Sequence, residues 1–313
     1  MSRRPLAWPS AQSTNCSADI ERMASFIELH DGNRRIGKFD LPQEVTGSGG
    51  GVFRLVRSVK GGGNGIVFEA RPVRGLKDAP TRVAVKLLRQ QDDSRMDRFA
   101  NEIRILKTFN HGRIARFFDS GQVDLGSGFR VPWVAMDLGD ANLREHVQSK
   151  GPLPSRQLAS VGIQICEALE HVHSKQIIHR DIKPDNFVWY GADIRMIDFG
   201  IAKLFGEDVS GRPLDQFTQH LEFVGPVFFS SPELIAYAGN KKHPVDQRSD
   251  LFQLGKVLWF LATGTISAGI PSRRQCPMNG RLHDIVLGLL NDDPNDRPGS
   301  ATTVRDQLGQ VGV

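Results

Sequence analysis

Val52–Val59 alternates as a half-buried strand does, Gly61–Gly65 breaks the pattern, and Ile66–Arg71 resumes it. Successive strand side chains face opposite sides, so this reads as two strands joined by a glycine-rich turn. A third strand is expected over Thr81–Leu88, with Val83 and Val85 on one face and Ala84 and Lys86 on the other. Asp97–Thr108 changes period: Phe99, Ile103 and Leu106 share one helical face. Ile114–Phe118 and Val131–Met136 read as two further strands. Strands with one helix among them predict a small, mostly antiparallel unit.

Past Leu138-Gly139-Asp140 the helical period takes over. Leu143–Lys150 is a short helix. Gln157–Lys175 is a long one, with Leu158, Val161, Ile165, Leu169 and Val172 on a core stripe. More helices are expected at Pro232–Ala238, Ser249–Ala262, Arg281–Leu290 and Ala301–Gly309. Upstream, residues 1–24 read as a tail. Phe26–His30 and Ile36–Phe39 flank Asp31-Gly32-Asn33, which predicts a hairpin within 25–46. Gly47–Gly51 reads as a linker or a loop. The expected fold is α+β and bilobal. Residues 1–51 form a tail and accessory hairpin, about 52–137 a β-rich lobe, and about 140–313 a mostly helical lobe.

Composition narrows the class. With 39% hydrophobic and 24% charged residues, the chain has the balance of an ordinary globular protein rather than a disordered one. Its net charge of +5 comes without a basic run: Lys241-Lys242 and Arg273-Arg274 are isolated pairs, so no nucleic-acid partner is indicated. Cys16, Cys166 and Cys276 are widely spaced and form no C-x-x-C pair, which argues against a disulfide framework or a cysteine zinc site. The longest apolar candidate, Leu251–Ala262, is interrupted by Gln253, Gly255 and Lys256, so no membrane span is expected. Arg3 and Arg4 precede no apolar core of a signal peptide. A reducing, cytoplasmic setting is the expectation.

The chemistry concentrates in His179-Arg180-Asp181-Ile182-Lys183-Pro184-Asp185-Asn186, a charged loop between two short apolar segments. Asp181 can accept a hydroxyl proton. Lys183, two residues on, points the same way on an extended backbone and can neutralise phosphoryl charge. Asn186 offers an amide oxygen to Mg²⁺. Charged loops are usually only solvated, so the other parts of a phosphoryl-transfer site must be found elsewhere in the chain. Gly62 and Gly65 can bring backbone N–H groups over phosphate oxygens, although such turns join many strands. Lys86 alternates with buried valines and needs a partner. Glu102, on the following helix, is the natural one. Asp198-Phe199-Gly200 supplies a hard carboxylate for a metal and a glycine backbone that can rearrange.

Together these motifs resemble those of the protein kinases: the H-R-D-L-x-x-x-N loop with Ile182 for Leu, Val83-Ala84-Val85-Lys86, Asp198-Phe199-Gly200 and Ser231-Pro232-Glu233, in order. The resemblance spans roughly residues 52–310 and implies a eukaryotic-like serine/threonine kinase acting on protein substrates with ATP and Mg²⁺. It implies that Lys86, held by Glu102, reaches the α- and β-phosphates, and that Asn186 and Asp198 hold metal. Val59, Gly62, Gly65, Val67 and Ala84 line the nucleotide site. Met136 backs the adenine, with backbone groups of Asp137 and Gly139 bonding it. His179 packs under Phe199, Asp250 braces the catalytic loop, and Glu233 pairs with Arg297.

Departures from the family pattern are informative. Lys60 stands where the first glycine of the turn usually falls. Gly225-Pro226 replaces Gly-Thr, removing a hydroxyl that would bond Asp181 and Lys183. Glu222 stands where many members carry a phosphothreonine. Its carboxylate is read as a substitute that pairs with Arg180, making activity independent of phosphorylation there. Thr218 and Ser210 remain candidate phosphosites. Two other functions stay open: a nucleotide-binding pseudokinase scaffold, and a small-molecule phosphotransferase of the same fold. Oligomeric state is not legible.

Overall fold

The structure, a computed structural model, describes residues 26–61, 65–77, 80–126, 128–200, 203–204, 228–240, 242–267, 271, 274, 277–278 and 280–311. Eight strands build the first lobe: β1 (Phe26–Asp31), β2 (Arg34–Asp40), β3 (Glu44–Thr46), β4 (Val52–Gly61), β5 (Gly65–Arg74), β6 (Val83–Leu88), β7 (Phe117–Asp124) and β8 (Arg130–Asp137). The last six form one antiparallel sheet in the order β3-β4-β5-β6-β8-β7. Helix α1 (Asp93–Leu106) lies between β6 and β7 in the chain.

The period of two sorts the sheet into faces. Val83, Val85 and Leu87 of β6 and Val131, Trp133 and Ala135 of β8 join an outer core. Ala84, Leu88, Val134 and Met136 join the core shared with the helical lobe. The β1–β2 hairpin covers the outer face, burying Ile27 and Leu29 there.

Three sequence expectations need correction. The sheet begins before residue 52, because β3 pairs with β4 and Leu41 and Val45 lie in the outer core. Gly47–Gly51, expected as a linker or a loop, is a closed loop. The buried Asp119 carboxylate accepts from Gly49 N (3.0 Å) and Gly51 N (2.9 Å), and a Cβ on Gly47 would overlap it. The strand expected at Ile114–Phe118 lies at Phe117–Asp124. Its buried polar positions Asp119 and Ser120 hide it from a hydrophobicity pattern. Helix α1 starts four residues early, because Asp92 caps it by accepting from Arg95 N at 3.0 Å.

The second lobe contains α2 (Leu143–Lys150), α3 (Ser155–Ser174), β9 (Ile177–Ile178), β10 (Phe187–Tyr190), β11 (Asp193–Met196), β12 (Lys203–Leu204), α4 (Pro232–Gly239), α5 (Arg248–Thr263), α6 (Gly280–Leu289) and α7 (Ala301–Gly309). Asn142 and Glu145 close a capping box at the start of α2. Helix α5 is buried on every side from Ser249 to Ala262, its polar residues Asp250, Gln253 and Lys256 included. Among the described residues no helix is long and apolar enough to cross a membrane.

Candidate active site

The loop between β9 and β10 carries His179 to Asn186, and α5 holds its backbone. Asp250 is fully buried. Its Oδ2 accepts from His179 N (2.9 Å) and lies 2.8 Å from His173 Nε2, while Oδ1 accepts from Arg180 N (2.8 Å). One turn on, Gln253 accepts from Ile182 N (3.0 Å) and donates to Arg180 O (3.1 Å). Arg180 sits at φ 66°, a left-handed conformation that a non-glycine residue adopts only under such constraint. Burial opposes ionisation of Asp250, but the hydrogen bonds from His173 and from the His179 backbone N–H outweigh it and hold the carboxyl below its usual range. Asp250 lies within the first turn of α5, which begins after Gln247, so it is not the cap residue.

Within the loop, Asp181 Oδ2 accepts from Lys183 Nζ (2.7 Å) and from Asn186 Nδ2 (2.9 Å), and Asn186 Nδ2 also donates to Asp181 O (2.8 Å). Among the described residues no donor is placed on Asp181 Oδ1. Burial works against the Lys183 charge, but Asp181 prevails and Asp198 adds to it, so the ammonium stays protonated. His179 is wholly buried, its ring centroid 5.0 Å from that of Phe199. Burial pushes its pKa down, which keeps the imidazole neutral.

Lys86 bridges Glu102 and Asp198. Its Nζ is 2.6 Å from Glu102 Oε1 on α1 and 3.3 Å from Asp198 Oδ2. The second contact joins the two lobes through one ammonium. Burial would strip the Lys86 proton, but Asp198 and Glu102 overcome it and raise the pKa above the ordinary lysine value. Burial drives Glu102 the other way, up to about 7 in spite of Lys86. Asp198 resists burial through the charge of Lys86 and the Gly200 N–H (2.9 Å), and falls to about 2. It therefore remains a charged oxygen donor, the kind that Mg²⁺ prefers.

Around this centre, Met136 is buried opposite Ala84 across the β6–β8 pair. Val67 is half-buried against the same core, and Val59 is exposed on β4 just before the turn. Gly65 has a packing role: a Cβ there would lie 2.9 Å from the Leu87 carbonyl oxygen. The Asp137 N–H is already given to Arg116 O (3.1 Å), and its buried side chain accepts from Arg116 N (2.7 Å) and pairs with Arg195. Gly139 lies so close to β10 that a Cβ would overlap Val188.

Lower down, Arg297 forks onto Glu233, Nη1 to Oε1 at 2.7 Å and Nη2 to Oε2 at 2.9 Å, with both residues buried. Ser231 caps α4. The Arg180 guanidinium lies over the Tyr237 ring at 4.9 Å. Gly62, Ser210, Thr218, Glu222, Gly225 and Pro226 lie outside the described residues.

Sequence reading missed His173, Gln253 and the Arg144–Asp185 pair, in which Arg144 Nε donates to both Asp185 oxygens at 3.0 and 2.8 Å. Asp185 had a signal, since a charge inside the motif needs a partner. His173 and Gln253 had none, because a polar residue on an otherwise apolar helix looks like a solvated position.

Residues 53–308 match the family model described as "Protein kinase domain". The chain is 31% identical over 264 residues to the serine/threonine-protein kinase PknB of Mycobacterium leprae, covering 77% of this chain and 40% of that protein. It is 30% identical over 251 residues to PknB of Mycobacterium tuberculosis, covering 73% and 38%. It is 34% identical over 187 residues to a probable PknB of Corynebacterium glutamicum, covering 58% and 27%. In each case the chain spans well under half the length of the curated relative.

Proposed function

This chain belongs to the protein kinase family, and on that premise we propose that it is an ATP- and Mg²⁺-dependent serine/threonine protein kinase. The observation that carries this reading is the ammonium of Lys86 held between Glu102 and Asp198, on the same cleft as Asp181, Lys183 and Asn186. All the charged parts of a phosphoryl-transfer site are present and paired, which favours an enzyme over a scaffold.

ATP with Mg²⁺, when bound, supplies the transferable phosphoryl group and spreads its charge. Asp198 and Asn186 are the residues that would hold the metal. Asp198 fits as a permanently ionised carboxylate. Asn186 fits because its amide nitrogen is committed to Asp181, which directs its oxygen elsewhere. Lys86, steadied by Glu102, would anchor the α- and β-phosphates. Met136, Ala84, Val67 and Val59 would enclose the adenine, with the Asp137 carbonyl and Gly139 bonding its edge. Asp181 Oδ1 takes the proton of the incoming hydroxyl while Lys183 and Asn186 fix Oδ2. Lys183 neutralises the group in transit. The substrate platform rests on the Glu233–Arg297 pair. Glu222 is proposed to pair with Arg180 in place of a phosphate, giving activity without phosphorylation there. Undiminished activity in Glu222→Ala would remove that part. The widely spaced cysteines support a reducing, cytoplasmic setting.

Transfer from radiolabelled ATP to generic protein substrates, beside Asp198→Ala, tests the reading. Labelling by the parent and not the variant is expected. Nucleotide binding without transfer would favour a scaffold, and labelling of small metabolites alone would favour a small-molecule phosphotransferase.

A further inference from the structure

The β1–β2 hairpin precedes the stretch that matches the kinase family and does more than cover the sheet. Arg89, Gln90 and Gln91 link β6, which carries Lys86, to Asp92, the cap of α1, which carries Glu102. The hairpin grips this link on both sides. His30 N donates to Arg89 O at 3.0 Å, and Gln91 N donates to His30 O at 2.8 Å, a parallel bridge centred on Gln90. Arg89 returns the contact: its Nε donates to Glu28 O at 3.1 Å, and its Nη2 lies 3.6 Å from Glu28 Oε2. The strand pairing slips at this point. Leu29 faces Gly37 and His30 faces Arg35, so β1 leaves its partner's register where it meets the link. Ile27 and Leu29 then anchor the hairpin in the core behind Val83, Val85 and Leu87.

The consequence is mechanical. The link has three residues, so a shift in it is passed to the first turn of α1 with little slack. Glu102 is buried at the far end of a 2.6 Å contact to Lys86, and a misplacement of about 1 Å at such a contact is enough to cost activity. We propose that the β1–β2 hairpin is a positioning element of the nucleotide site: by clamping residues 89–91 it holds α1, and so Glu102, in register with Lys86. This rests on the reading of Lys86 and Glu102 as the nucleotide anchor.

Two substitutions in the full chain test it. His30→Pro removes the donor to Arg89 O, and Arg89→Met, the milder change, removes both side-chain ties to Glu28. Val123→Ala, in the same outer core but on β7, serves as a control for general loss of stability. Hydrogen exchange and steady-state kinetics are read together. Either clamp variant should loosen residues 26–40 and speed exchange across residues 93–106. The KM for ATP should rise about tenfold, with a smaller change in kcat. Val123→Ala should leave the KM for ATP as in the parent. Faster exchange in the hairpin alone, with residues 93–106 and the KM for ATP unchanged, would overturn the proposal. So would an equal KM shift in Val123→Ala, or a hairpin that neither clamp variant loosens. If the parent transfers no phosphate, the kinase reading fails separately. Exchange across residues 93–106 and ATP affinity by titration still decide this one.

Discussion

Asp250→Asn is a change of one atom with a calculable effect. The carboxylate receives His179 N and Arg180 N on different oxygens and touches His173 Nε2. An amide has one oxygen. If its NH₂ takes the Oδ1 position it faces the Arg180 N–H; if it takes the Oδ2 position it faces the His179 N–H. Either way one backbone donor is left unpaired in a fully buried site, at about 1–3 kcal/mol, and the remaining bonds lose their charge assistance, about 1 kcal/mol each. The sum is about 3–5 kcal/mol, in the range for breaking a buried charged contact. For a chain of this size that lowers the unfolding midpoint by roughly 5–8 °C. Arg180, strained at φ 66°, loses part of its restraint, and Asp181 moves with it; kcat should fall about a hundredfold. Asp250 has a folded pKa below its unfolded one, so its contribution is complete above the ordinary carboxylate range and is lost as pH falls from that range through the lower folded pKa. The gap between parent and variant, measured by denaturant titration, should therefore narrow below about pH 4. A variant that melts within about a degree of the parent and retains full kcat would refute this account of the loop.

Glu102 should shape the pH dependence. Burial holds its pKa up to about 7, so acidifying through that value neutralises it and loosens its grip on Lys86. The KM for ATP should rise on the acid side, and Glu102→Gln should raise the KM at every pH while flattening that limb. Gly139→Ala should weaken ATP binding, because the new Cβ overlaps Val188 and pushes the connector outward. Adding Val188→Ala should restore little of the affinity measured by titration, because alanine keeps the Cβ that the new atom overlaps and the Trp189 carbonyl oxygen also crowds it.

The two lobes were legible because period-two and period-3.6 runs are long where one face is buried. Leu143–Lys150 and Ala301–Gly309 coincide with the observed helices, since Asn142 and Ser300 mark their starts. The site was legible because its side chains are chemically costly: a lysine between valines and a charge-dense loop both demand partners. What stayed hidden was polar residues serving as backbone scaffolding. Asp119 and Ser120 broke the apolar pattern of β7, so that strand was expected too early, and nothing in Gly47–Gly51 itself shows that Asp119 closes the loop. Asp92 hid the start of α1 because the apolar stripe begins only at Met96 and Phe99. The clamp on residues 89–91 rests half on backbone hydrogen bonds, which carry no residue code, and half on an Arg89–Glu28 contact that spans 61 residues of sequence.

In the proposed reaction Asp181 acts on the incoming hydroxyl rather than on nucleotide binding. Asp181→Asn keeps the size of the side chain and an oxygen for Lys183 and Asn186. Its ATP affinity and its rate of phosphoryl transfer to protein, measured on the same preparation, separate the two roles. The account predicts affinity within about threefold of the parent and transfer slowed by about a hundredfold to ten-thousandfold, the usual worth of a positioned base. Transfer at the parent rate, or affinity lost in step with transfer, would contradict it.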